Sequence, residues 1–528
     1  MKLHGLSFIA GNPVADSAET FTATNPATGE ALPVAFHKAS DAAVNSALAA
    51  ATDAFAACRR LPAERFAVLL EKIADEIVAL GPDLITRGHA ETGLPEARLT
   101  GERARTTGQL QMFAALVREG SWVDAVIDTA DPNRQPLPKP DVRRLLRPLG
   151  PVVVFGAGNF PFAFGAGGGD TASALAAGNP VVVKAHTGHP GTNELFAHAV
   201  NAALQACQLP PGMFNLLQGP GSTVGQALVK HPATQAVGFT GSRRAGRILF
   251  DLTAARPVPI PVYAEMGSLN PLVVLPGALA ERSEKIAAGL AQSIALGVGQ
   301  FCTKPGLVFL IEDSAAADFV DRLAKNLAAI PAAPMLDAGI HQNFCEATAA
   351  FARVGGVKRI VASAAGGLNS AAPSLFEIDS ATWRHETTLH EEAFGPAAIV
   401  IRCRDAGDLQ TTLRLVGGNL TATIHRGARD DAELISALAD ALERQAGRVI
   451  FDGFPTGVEV CPAMVHGGPY PATSAPQTTS VGTLAIRRFA RPVCFQNAPQ
   501  EFLPPELRDA NERKIWRLVN GQLTKDNV

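Results

Sequence analysis

The feature that most constrains the fold is a regular alternation of short apolar runs and helical segments between residues 150 and 275. Apolar runs bounded by turn-forming residues predict buried strands. A strand–helix rhythm of this kind predicts a mostly parallel, doubly wound sheet that binds its ligand at the carboxyl ends of the strands. The predicted strands are Val152–Phe155, Val181–Lys184, Phe214–Leu217, Ala236–Phe239 and Val262–Glu265.

A second set of the same kind begins beyond Pro271. It comprises a helix at 279–297, a strand at 307–311, a helix at 315–327 and further strands near 359–362, 397–402 and 420–425. A chain of 528 residues is too long for a single core. The fold class that we expect is therefore α/β, with two doubly wound domains.

The segments outside these two sets have other patterns. The first 120 residues are mainly helical, and Ser40 or Asp41 is the expected N-cap of the first helix. Residues 121–150 predict two strands around a proline-rich link, and the segments Thr483–Phe489 and Val493–Phe495 predict a late strand pair. These regions can pair as one β arm, although a plain surface hairpin is the alternative. The tail from residue 506 to 521 predicts a helix.

Charge and cysteine content exclude several classes of protein. The net charge is −3 and no basic cluster is long, so we expect no nucleic-acid partner. Seven cysteines are scattered without a CxxC pair, which favours reduced thiols over a disulfide framework. Because the start lacks a signal-peptide pattern and no apolar run reaches membrane-spanning length, we expect a cytoplasmic protein without a membrane partner.

One cysteine lies in a context that suits chemistry. The stretch 299–306 places Cys302 in a glycine-bracketed turn, between a helix-like segment and the apolar run 307–310. A thiol held at such a junction is rigid yet open to a ligand, and its thiolate is a strong nucleophile. The alternative is an inert core cysteine, because free cysteines are among the most buried residue types.

Polar residues follow two of the predicted strands, at the edge of the sheet where a ligand is expected. Asn159 can offer its amide to a developing oxyanion, or it can satisfy the turn in which it lies. Lys184 stands where a nucleotide ribose or phosphate would lie, or it is an ordinary surface lysine. His186 and His189 suggest a metal ligand pair, but no carboxylate or cysteine has a suitable spacing, so we expect no metal site.

Two glycine-rich turns, at 219–225 and 239–246, flank one predicted strand. The second turn places Gly241 and Ser242 at the start of a helix, where backbone N–H groups bind anions. Neither turn has the spacing of a dinucleotide fingerprint, so each alone is a weak indication. Together they favour a nucleotide ligand.

Two carboxylates complete the candidate set. Glu265 ends an apolar strand and can act as a general base, or it can serve as a capping or ion-paired residue. Glu392 and Phe394 are two residues apart, so in an extended segment both side chains point to one side and can hold a ribose and a flat ring. A turn with a core phenylalanine is the alternative for that pair.

These motifs resemble, in order and rough spacing, those of the aldehyde dehydrogenase superfamily over nearly the whole chain. They are Asn-Phe-Pro at 159–161, Lys184, Phe-Thr-Gly-Ser at 239–242, Glu-Met-Gly at 265–267, Gly-Gln-Phe-Cys at 299–302 and Glu-Ala-Phe-Gly-Pro at 392–396. The resemblance implies an aldehyde dehydrogenase-like fold. In it, residues 1–120 and 151–265 form a cofactor-binding domain, 266–477 a catalytic domain, 121–150 and 478–498 an oligomerisation arm, and 499–528 a tail. The arm implies a homodimer or homotetramer.

The resemblance also implies a role for each candidate residue. Cys302 attacks an aldehyde to give a thiohemiacetal, Asn159 and the Cys302 N–H hold the oxyanion, and Glu265 activates the water that hydrolyses the resulting thioester. The remaining residues bind the cofactor: Lys184 at the adenosine ribose or its phosphate, Gly241 and Ser242 by the pyrophosphate, and Glu392 and Phe394 at the nicotinamide riboside.

Two departures from the family pattern bear on the cofactor. Many members have a glutamate where this chain has Thr187, and that carboxylate binds ribose hydroxyls and repels a 2′-phosphate. Thr187 carries no charge, so we expect NADP to be preferred, with NAD possible. Gly158 stands where many members have tryptophan.

The carboxyl-terminal segments 455–471, 479–483 and 488–493 resemble an NADP-linked branch of the family. That branch contains α-ketoglutaric semialdehyde (2,5-dioxopentanoate) dehydrogenases and a fatty aldehyde dehydrogenase. The expected reaction is oxidation of 2,5-dioxopentanoate to 2-oxoglutarate, and a medium- or long-chain aldehyde is the alternative. A cofactor-independent cysteine esterase is a more distant alternative, because it leaves both glycine-rich turns without a role. Substrate contacts are expected from Arg98, Arg103 and Arg105 for a carboxylate and from Phe160, Phe162 and Phe454 for an apolar chain.

Overall fold

The computed structural model describes residues 2–362 and 366–528, and it has the α/β architecture that the sequence predicts. The helices are Asp41–Cys58, Ala63–Ala79, Gly81–Thr92, Glu96–Glu119, Gly169–Ala176, Pro190–Ala206, Gln226–Lys230, Arg243–Ala254, Pro276–Ala295, Ser314–Ala328, Ala338–Arg353, Ser380–His385, Ala406–Leu413 and Ala432–Glu443. None of the helices in the described residues combines the length and apolar character that a bilayer crossing requires.

The first predicted sheet is present, and its parallel strands match the predicted bounds to within about one residue. In spatial order its strands are Val262–Glu265, Ala236–Thr240, Val152–Phe155, Val181–Lys184, Phe214–Leu217, Ser7–Ile9 and Asn12–Val14. The first five run parallel, and Ser7–Ile9 joins the edge antiparallel to its neighbour.

The unbroken valine runs of this sheet form strands because both faces of the sheet are covered. Val152 and Val154 pack in a core that includes residues of helix Ala63–Ala79. Val153 points to the opposite side and packs in a second core with residues of helix Asp41–Cys58. Alternate side chains therefore bury themselves in different layers, which polar residues at these positions would prevent.

The second sheet lies in the carboxyl-terminal half. Its spatial order is Lys358–Ala362, Ser374–Asp379, Ala397–Cys403, Leu307–Ile311, Leu272–Val274, Asn419–His425 and Ala446–Phe451. All its pairings are parallel except that of Lys358–Ala362 with its neighbour. Cores on both faces again explain the apolar strands. Short two-stranded pieces pair Thr20–Thr24 with Ala31–His37 and Ala333–Pro334 with Ser370–Ala371.

A third sheet joins the two regions of the predicted arm, residues 121–150 and residues 478–498. Its order is Ala490–Gln496, Val142–Pro148, Val126–Asp128, Arg517–Val519 and Gln522–Thr524. Ala490–Gln496 pairs antiparallel with Val142–Pro148 over its full length, so the predicted pairing of the two regions exists. The outer edge of strand Ala490–Gln496 has no strand beside it in the described residues.

Two predictions about the carboxyl-terminal region were wrong. Thr483–Phe489 is a 3₁₀ helix, because Ala485, Ile486 and Phe489 are the buried positions and their spacing is helical. The predicted tail helix is replaced by a hairpin that extends the third sheet, Arg517–Val519 with Gln522–Thr524. Asn520 and Gly521 form its turn with φ of 47° and 82°, the pattern that Asn-Gly favours in two-residue hairpins.

Candidate active site

A cavity of about 530 Å³ lies where the carboxyl ends of the first sheet meet the segment that carries Cys302. That volume falls within the range of small-molecule and cofactor sites. The residues predicted for catalysis and cofactor binding line it, apart from Thr187: Asn159, Lys184, Gly241, Ser242, Glu265, Cys302, Glu392 and Phe394. The fold thus brings together residues that are far apart in the chain.

The loop that presents Cys302 is held rigidly from both sides. Gly299 has φ of 65°, and a Cβ on it would lie 2.2 Å from the carbonyl carbon of Gly395, so this turn requires glycine. The side-chain amide of Asn270 donates hydrogen bonds to the carbonyl oxygens of Cys302, at 2.8 Å, and Lys304, at 2.9 Å. The thiol is therefore fixed by its neighbours and does not depend on its own contacts for its place.

Cys302, Glu265 and His466 form a compact group. His466 Nε2 lies 3.4 Å from Cys302 Sγ and 3.0 Å from Glu265 Oε1. The second carboxylate oxygen of Glu265 accepts a hydrogen bond of 2.7 Å from the Ser480 hydroxyl. The reactive atoms of the first three residues all lie within 4.8 Å of one another. Proton transfer among them needs little movement.

Burial and charge determine which side chains of this group carry a proton. Burial raises the pKa of Glu265, but the charge of His466 and hydrogen bonds from His466, Ser480 and Cys302 outweigh it and lower that pKa to about 2. Burial and the negative charge of Glu265 raise the pKa of Cys302 well above its usual value. At rest, Glu265 is therefore ionised and Cys302 is a thiol that must lose its proton before it can attack.

Asn159 stands beside the nucleophile, as an oxyanion donor would. Its side-chain amide donates to the backbone carbonyl oxygen of Gln300 at 3.1 Å. The backbone carbonyl oxygen of Asn159 accepts from Arg98 Nη2 at 2.7 Å. The amide has a second hydrogen for another acceptor. Backbone and side chain of Asn159 are thus oriented before any substrate arrives.

The opposite end of the cavity carries Lys184 and a pair of stacked histidines. Burial lowers the pKa of Lys184 to about 8. His186 stacks on His189 with ring centroids 4.8 Å apart, and its Nδ1 accepts a hydrogen bond from the N–H of Gly188 at 3.1 Å. Burial and the charges of His189 and Lys184 lower the pKa of His186 well below its usual value. His186 is therefore neutral, and its hydrogen is on Nε2.

The space for the His186 ring depends on Gly158, which stands where many family members have tryptophan. A Cβ on Gly158 would lie 3.1 Å from Cε1 of His186, so a side chain at 158 would crowd this ring and require it to shift. Thr187 is half-buried next to His186 but does not line the cavity.

The second glycine-rich turn ends in a helix that starts at the cavity. Ser242 caps helix Arg243–Ala254 by accepting from the N–H of Ala245 at 3.2 Å. Gly241 and Ser242 line the cavity together with Gly221 and Ser222 of the first glycine-rich turn. Backbone N–H groups at such a helix start suit a pyrophosphate.

Glu392 and Phe394 line the cavity near Cys302. Burial raises the pKa of Glu392 to about 7, and the charge of Lys304 opposes that rise. Lys304 is itself buried and donates to the carbonyl oxygens of Ala393, at 3.3 Å, and Ala397, at 2.7 Å. The lysine thereby fixes the backbone on both sides of Phe394.

Helix Glu96–Glu119 contributes two arginines on the side of the thiol. Arg105 packs on the rings of Phe160 and Phe164 at 5.7 and 5.5 Å, and its charge acts on Cys302 and Glu265. Its Nε and Nη2 atoms are buried and have no hydrogen-bond partner among the described residues. One edge of the guanidinium is thus without a hydrogen-bond partner, although Arg105 is not among the residues that line the cavity.

Comparison with known proteins identifies the family. Residues 14–415 match the aldehyde dehydrogenase family. The chain belongs to the aldehyde dehydrogenase family.

Two relatives match over the full length of this aldehyde dehydrogenase. Alpha-ketoglutaric semialdehyde dehydrogenase 2 of Azospirillum brasilense is 51% identical over 525 residues, which cover 99% of this chain and 100% of that protein. The alpha-ketoglutaric semialdehyde dehydrogenase of Acinetobacter baylyi is 46% identical over 527 residues, 99% of each chain.

A solved structure confirms the fold of this aldehyde dehydrogenase. PnpE in complex with nicotinamide adenine dinucleotide superposes with a TM-score of 0.81 at 22% identity, and the match covers 96% of this chain and 100% of that one. The family oxidises aldehydes with NAD or NADP. The two glycine-bearing turns, the open helix start and the size of the cavity suit a dinucleotide.

Three of the residues predicted to contact the substrate lie elsewhere in this aldehyde dehydrogenase. Arg103 donates to the carbonyl oxygen of Gly81 at 2.9 Å, on a different face of the helix from Arg105. Phe162 is fully buried in the core, edge-on to Phe196. These two predictions were wrong, because two positions along a helix rotate a side chain by about 200° and the turn after strand Val152–Phe155 directs Phe162 into the core.

Phe454, the third such residue, packs against the His425 ring with centroids 5.1 Å apart and does not line the cavity. Of the predicted aromatic contacts, Phe160 alone lies beside both Arg98 and Arg105.

Sequence reasoning missed His466, Ser480 and Lys304. The first two lie in an irregular segment that follows the last strand of the second sheet, so no periodicity indicated their direction. A signal was available in the sequence: His466 precedes Gly467 and Gly468, and such a break in the pattern often marks a close backbone approach.

Proposed function

We propose that this enzyme oxidises 2,5-dioxopentanoate to 2-oxoglutarate. The names of its two full-length relatives support the substrate. The observation that carries the proposal is the edge of Arg105, whose buried Nε and Nη2 atoms have no hydrogen-bond partner among the described residues and whose charge acts on Cys302. Buried N–H donors without an acceptor are costly, so a ligand that accepts hydrogen bonds from them is expected.

The substrate fits that requirement at both ends. It carries a carboxylate at one end and an aldehyde at the other, and Nε with Nη2 of an arginine matches a carboxylate in a bidentate pair. The rings of Phe160 and Phe164 hold the guanidinium flat, so it is oriented before binding. An aldehyde with an apolar tail would leave Arg105 unpaired.

The proposed chemistry uses the side chains around the thiol. Cys302 gives its proton to Glu265, which releases it to solvent, and the sulfur adds to the aldehyde carbon, while Asn159 and the Cys302 N–H donate to the oxyanion. Glu392 and Phe394 would hold the nicotinamide end of NAD(P), which would supply the acceptor for the hydride of the thiohemiacetal carbon and so leave a thioester on Cys302. Glu265, which its lowered pKa keeps ionised, takes a proton from water as the water attacks the thioester, and the acid and the free thiol are released.

We also propose that NADP is preferred over NAD. Lys184 is a cation and His186 a neutral N–H donor at the far end of the cavity, and both suit a 2′-phosphate. Thr187 adds no negative charge beside them. Gly241, Ser242, Glu392 and Phe394 would hold the rest of the cofactor. Residues 1–120 and 151–265 would form the cofactor-binding domain and 266–477 the catalytic domain, from which Glu392 and Phe394 would reach the cofactor.

The third sheet supports a proposal about assembly. Strand Ala490–Gln496 leaves its outer edge without a neighbour among the described residues, and an open edge can pair with a second chain. We therefore propose a homodimer or homotetramer joined through residues 121–150 and 478–498. Since all seven cysteines lie in the described residues and each is free, a reducing compartment such as the cytoplasm is the proposed location.

The test compares substrates and variants in one design. Initial rates of NADP and NAD reduction are measured with 2,5-dioxopentanoate and with decanal, for the native enzyme, Arg105→Leu and Arg103→Leu. We expect Arg105→Leu to lower kcat/KM for the dioxo acid by about a hundredfold, because a buried charge pair is lost, and to leave decanal unaffected. Arg103→Leu is the matched control and should change neither.

Two outcomes would contradict the proposal. A higher kcat/KM for decanal than for the dioxo acid in the native enzyme would move the substrate to apolar aldehydes. Equal losses for both substrates in Arg105→Leu would show that this arginine supports the fold of the site and does not recognise a carboxylate.

A further inference from the structure

Arg98, in the first turn of its helix, lies between the two loops that carry the proposed oxyanion donors. Its guanidinium packs on the rings of Phe160 and Phe301, at 4.9 and 5.0 Å from their centroids, and the two rings meet edge to face at 5.1 Å. Phe160 directly follows Asn159 in the chain. Phe301 directly precedes Cys302. One side chain therefore contacts the immediate neighbours of both donors.

A direct hydrogen bond adds to this packing. Arg98 Nη2 donates to the backbone carbonyl oxygen of Asn159 at 2.7 Å. A hydrogen bond from a charged donor is stronger than one between neutral groups, and a cation over two aromatic faces gains further attraction. The Asn159 loop is thus bound to the same cation that packs on Phe301, so neither loop can move away from the other without breaking a contact.

The surroundings of Arg98 restrict its position. Gly297 has φ of 58°, and a Cβ on it would lie 2.8 Å from Arg98 Nη1, so the backbone approaches the guanidinium closely. Glu102, one turn further along the helix, acts on Arg98 through its charge. The same carboxylate accepts hydrogen bonds from the N–H groups of Phe162, at 2.9 Å, and Ala163, at 3.0 Å. The helix therefore fixes both the guanidinium and the turn that follows the oxyanion donor.

An oxyanion site works through the spacing of its donors. The Asn159 amide donates one hydrogen to the backbone carbonyl oxygen of Gln300 at 3.1 Å, which leaves the other for a ligand. The Cys302 N–H is the second donor in the proposed chemistry. A misplacement of about 1 Å can cost about a hundredfold in rate. A group that fixes the spacing of the two loops therefore acts on the rate although it touches no reacting atom.

We propose that Arg98 is a positioning residue that sets the separation of the two oxyanion donors, the Asn159 amide and the Cys302 N–H. It packs between the two phenylalanine rings while it holds the Asn159 backbone. It binds neither the oxyanion nor the substrate carboxylate, which is the ligand proposed for Arg105 on the same helix. This role rests on the proposed function, in which both donors stabilise the oxyanion.

The experiment compares two reactions of the same thiol. p-Nitrophenyl acetate acylates Cys302 through a tetrahedral oxyanion: the sulfur bonds to the acetyl carbon, the thiol proton leaves through Glu265, and p-nitrophenolate departs. Iodoacetamide alkylates the same sulfur by displacing iodide, and no oxyanion forms. A residue that orients the oxyanion donors changes the acylation rate alone. A residue that acts on the thiol or on the folded state changes both rates.

The full-length protein is used without aldehyde or cofactor, with Cys302→Ser as the blank. The initial release of p-nitrophenolate is followed by stopped-flow absorbance, and alkylation of the peptide that contains Cys302 is followed by mass spectrometry. We expect Arg98→Met to slow acylation by about tenfold to a hundredfold and to leave the alkylation rate close to native. Arg98→Lys, which keeps the charge, should recover part of the acylation rate.

A second arginine of the same helix gives the matched control. Arg103 donates to the carbonyl oxygen of Gly81 at 2.9 Å and lies on a different face of the helix from Arg105. Arg103→Met should change neither rate. If it slows acylation as Arg98→Met does, loss of any arginine from this helix explains the effect, and the proposal is overturned.

Direct contact of Arg98 with a ligand is the competing role, because its Nη1 is buried without a hydrogen-bond partner among the described residues. A loss confined to kcat/KM for 2,5-dioxopentanoate, with native acylation and native oxidation of decanal, would assign the substrate carboxylate to Arg98 and overturn the proposal. A folded Arg98→Met with native acylation, or with equal losses of acylation and alkylation, also overturns it. Thermal unfolding checks the fold, and Arg98→Gln is judged by the same rates if Arg98→Met does not fold.

The design separates this inference from the proposed function. Acylation that depends on Arg98 in a protein that oxidises no aldehyde would refute the proposed function alone. Native acylation in Arg98→Met, when the native enzyme oxidises the dioxo acid, would refute this inference alone. A native protein that releases no p-nitrophenolate through Cys302 would also overturn the inference, because no working oxyanion site would then stand beside the thiol.

Discussion

The two ends of the cavity are built in different ways. At the cofactor end, Lys184 and Ser242 follow regular strands of the first sheet. At the substrate end, which carries Cys302, the supporting residues stand behind the cavity lining: Arg105 on a long helix, and His466 on an irregular segment after the last strand of the second sheet. Strand ends in a parallel sheet converge on one edge by construction. Helix faces and irregular segments acquire their direction only from packing, so the substrate end is where related enzymes can differ.

The largest effect should come from the residue at which the two ends meet. Cys302→Ser is expected to lower kcat by about 10³-fold or more, because a hydroxyl with no strong base is a poor nucleophile at neutral pH. Binding of NADP, measured by calorimetry, should remain close to native, since the cofactor end is intact. Cys345→Ser, at an exposed cysteine, is the control and should keep full activity.

A Cys302→Ser enzyme that retains more than a small part of its activity would remove the chemical step from this loop. It would also break the division between the two ends, because chemistry would then have to come from a group outside the substrate end.

The same division explains which parts could be predicted from the sequence. The strands of both sheets were predictable because unbroken valine and leucine runs between turn residues have few alternatives, and their ends located Lys184 and Glu265. Asn159 and Cys302 were found because each lies in a turn beside a regular strand. The family resemblance then supplied their roles, which spacing alone left open.

Two of the failures concern the direction of a side chain, which tertiary packing decides. Arg103 and Arg105 are equally basic and lie two residues apart, so composition cannot tell which faces the thiol; the packing of the helix decides it. Phe162 follows the first strand, but the turn after that strand directs it into the core. At 517–524 the Asn520-Gly521 turn, with φ positive at both residues, overrides the helical pattern of the tail and forms a hairpin.

A smaller effect is expected at the cofactor end, from the position that carries no charge. Thr187→Glu should weaken NADP binding by roughly tenfold to a hundredfold, because a carboxylate near a phosphate is repelled, and should leave NAD binding unchanged or stronger. Glutamine has the size of glutamate without its charge, so the Thr187→Gln variant should behave like the native enzyme. Dissociation constants for both cofactors, measured by calorimetry at one ionic strength, decide the point.

If NADP and NAD respond alike to Thr187→Glu, residue 187 does not face the 2′-phosphate, and the cofactor preference must be set by Lys184 and His186 without it. That result would sharpen the comparison, since it would confine cofactor selection to side chains that line the cavity.

The smallest effect is a pH dependence of cofactor choice. Burial lowers the pKa of Lys184 to about 8, so the lysine is a cation below that pH and loses its proton as the pH rises through it. A neighbouring phosphate favours the protonated form, so NADP binding above pH 8 requires uptake of a proton. The ratio of the NADP to the NAD dissociation constant should therefore rise above pH 8, by at most about tenfold per pH unit.

The neighbouring groups do not change the sign of this effect. His186 and His189 have pKa values lowered by burial, that of His189 to about 4, so both stay neutral throughout the range. The 2′-phosphate is already a dianion above pH 7. In Lys184→Met, the ratio should be independent of pH between 7 and 9.5. A flat ratio in the native enzyme would show that Lys184 contacts a part of the cofactor that NAD and NADP share, and selection would then fall to the neutral N–H of His186.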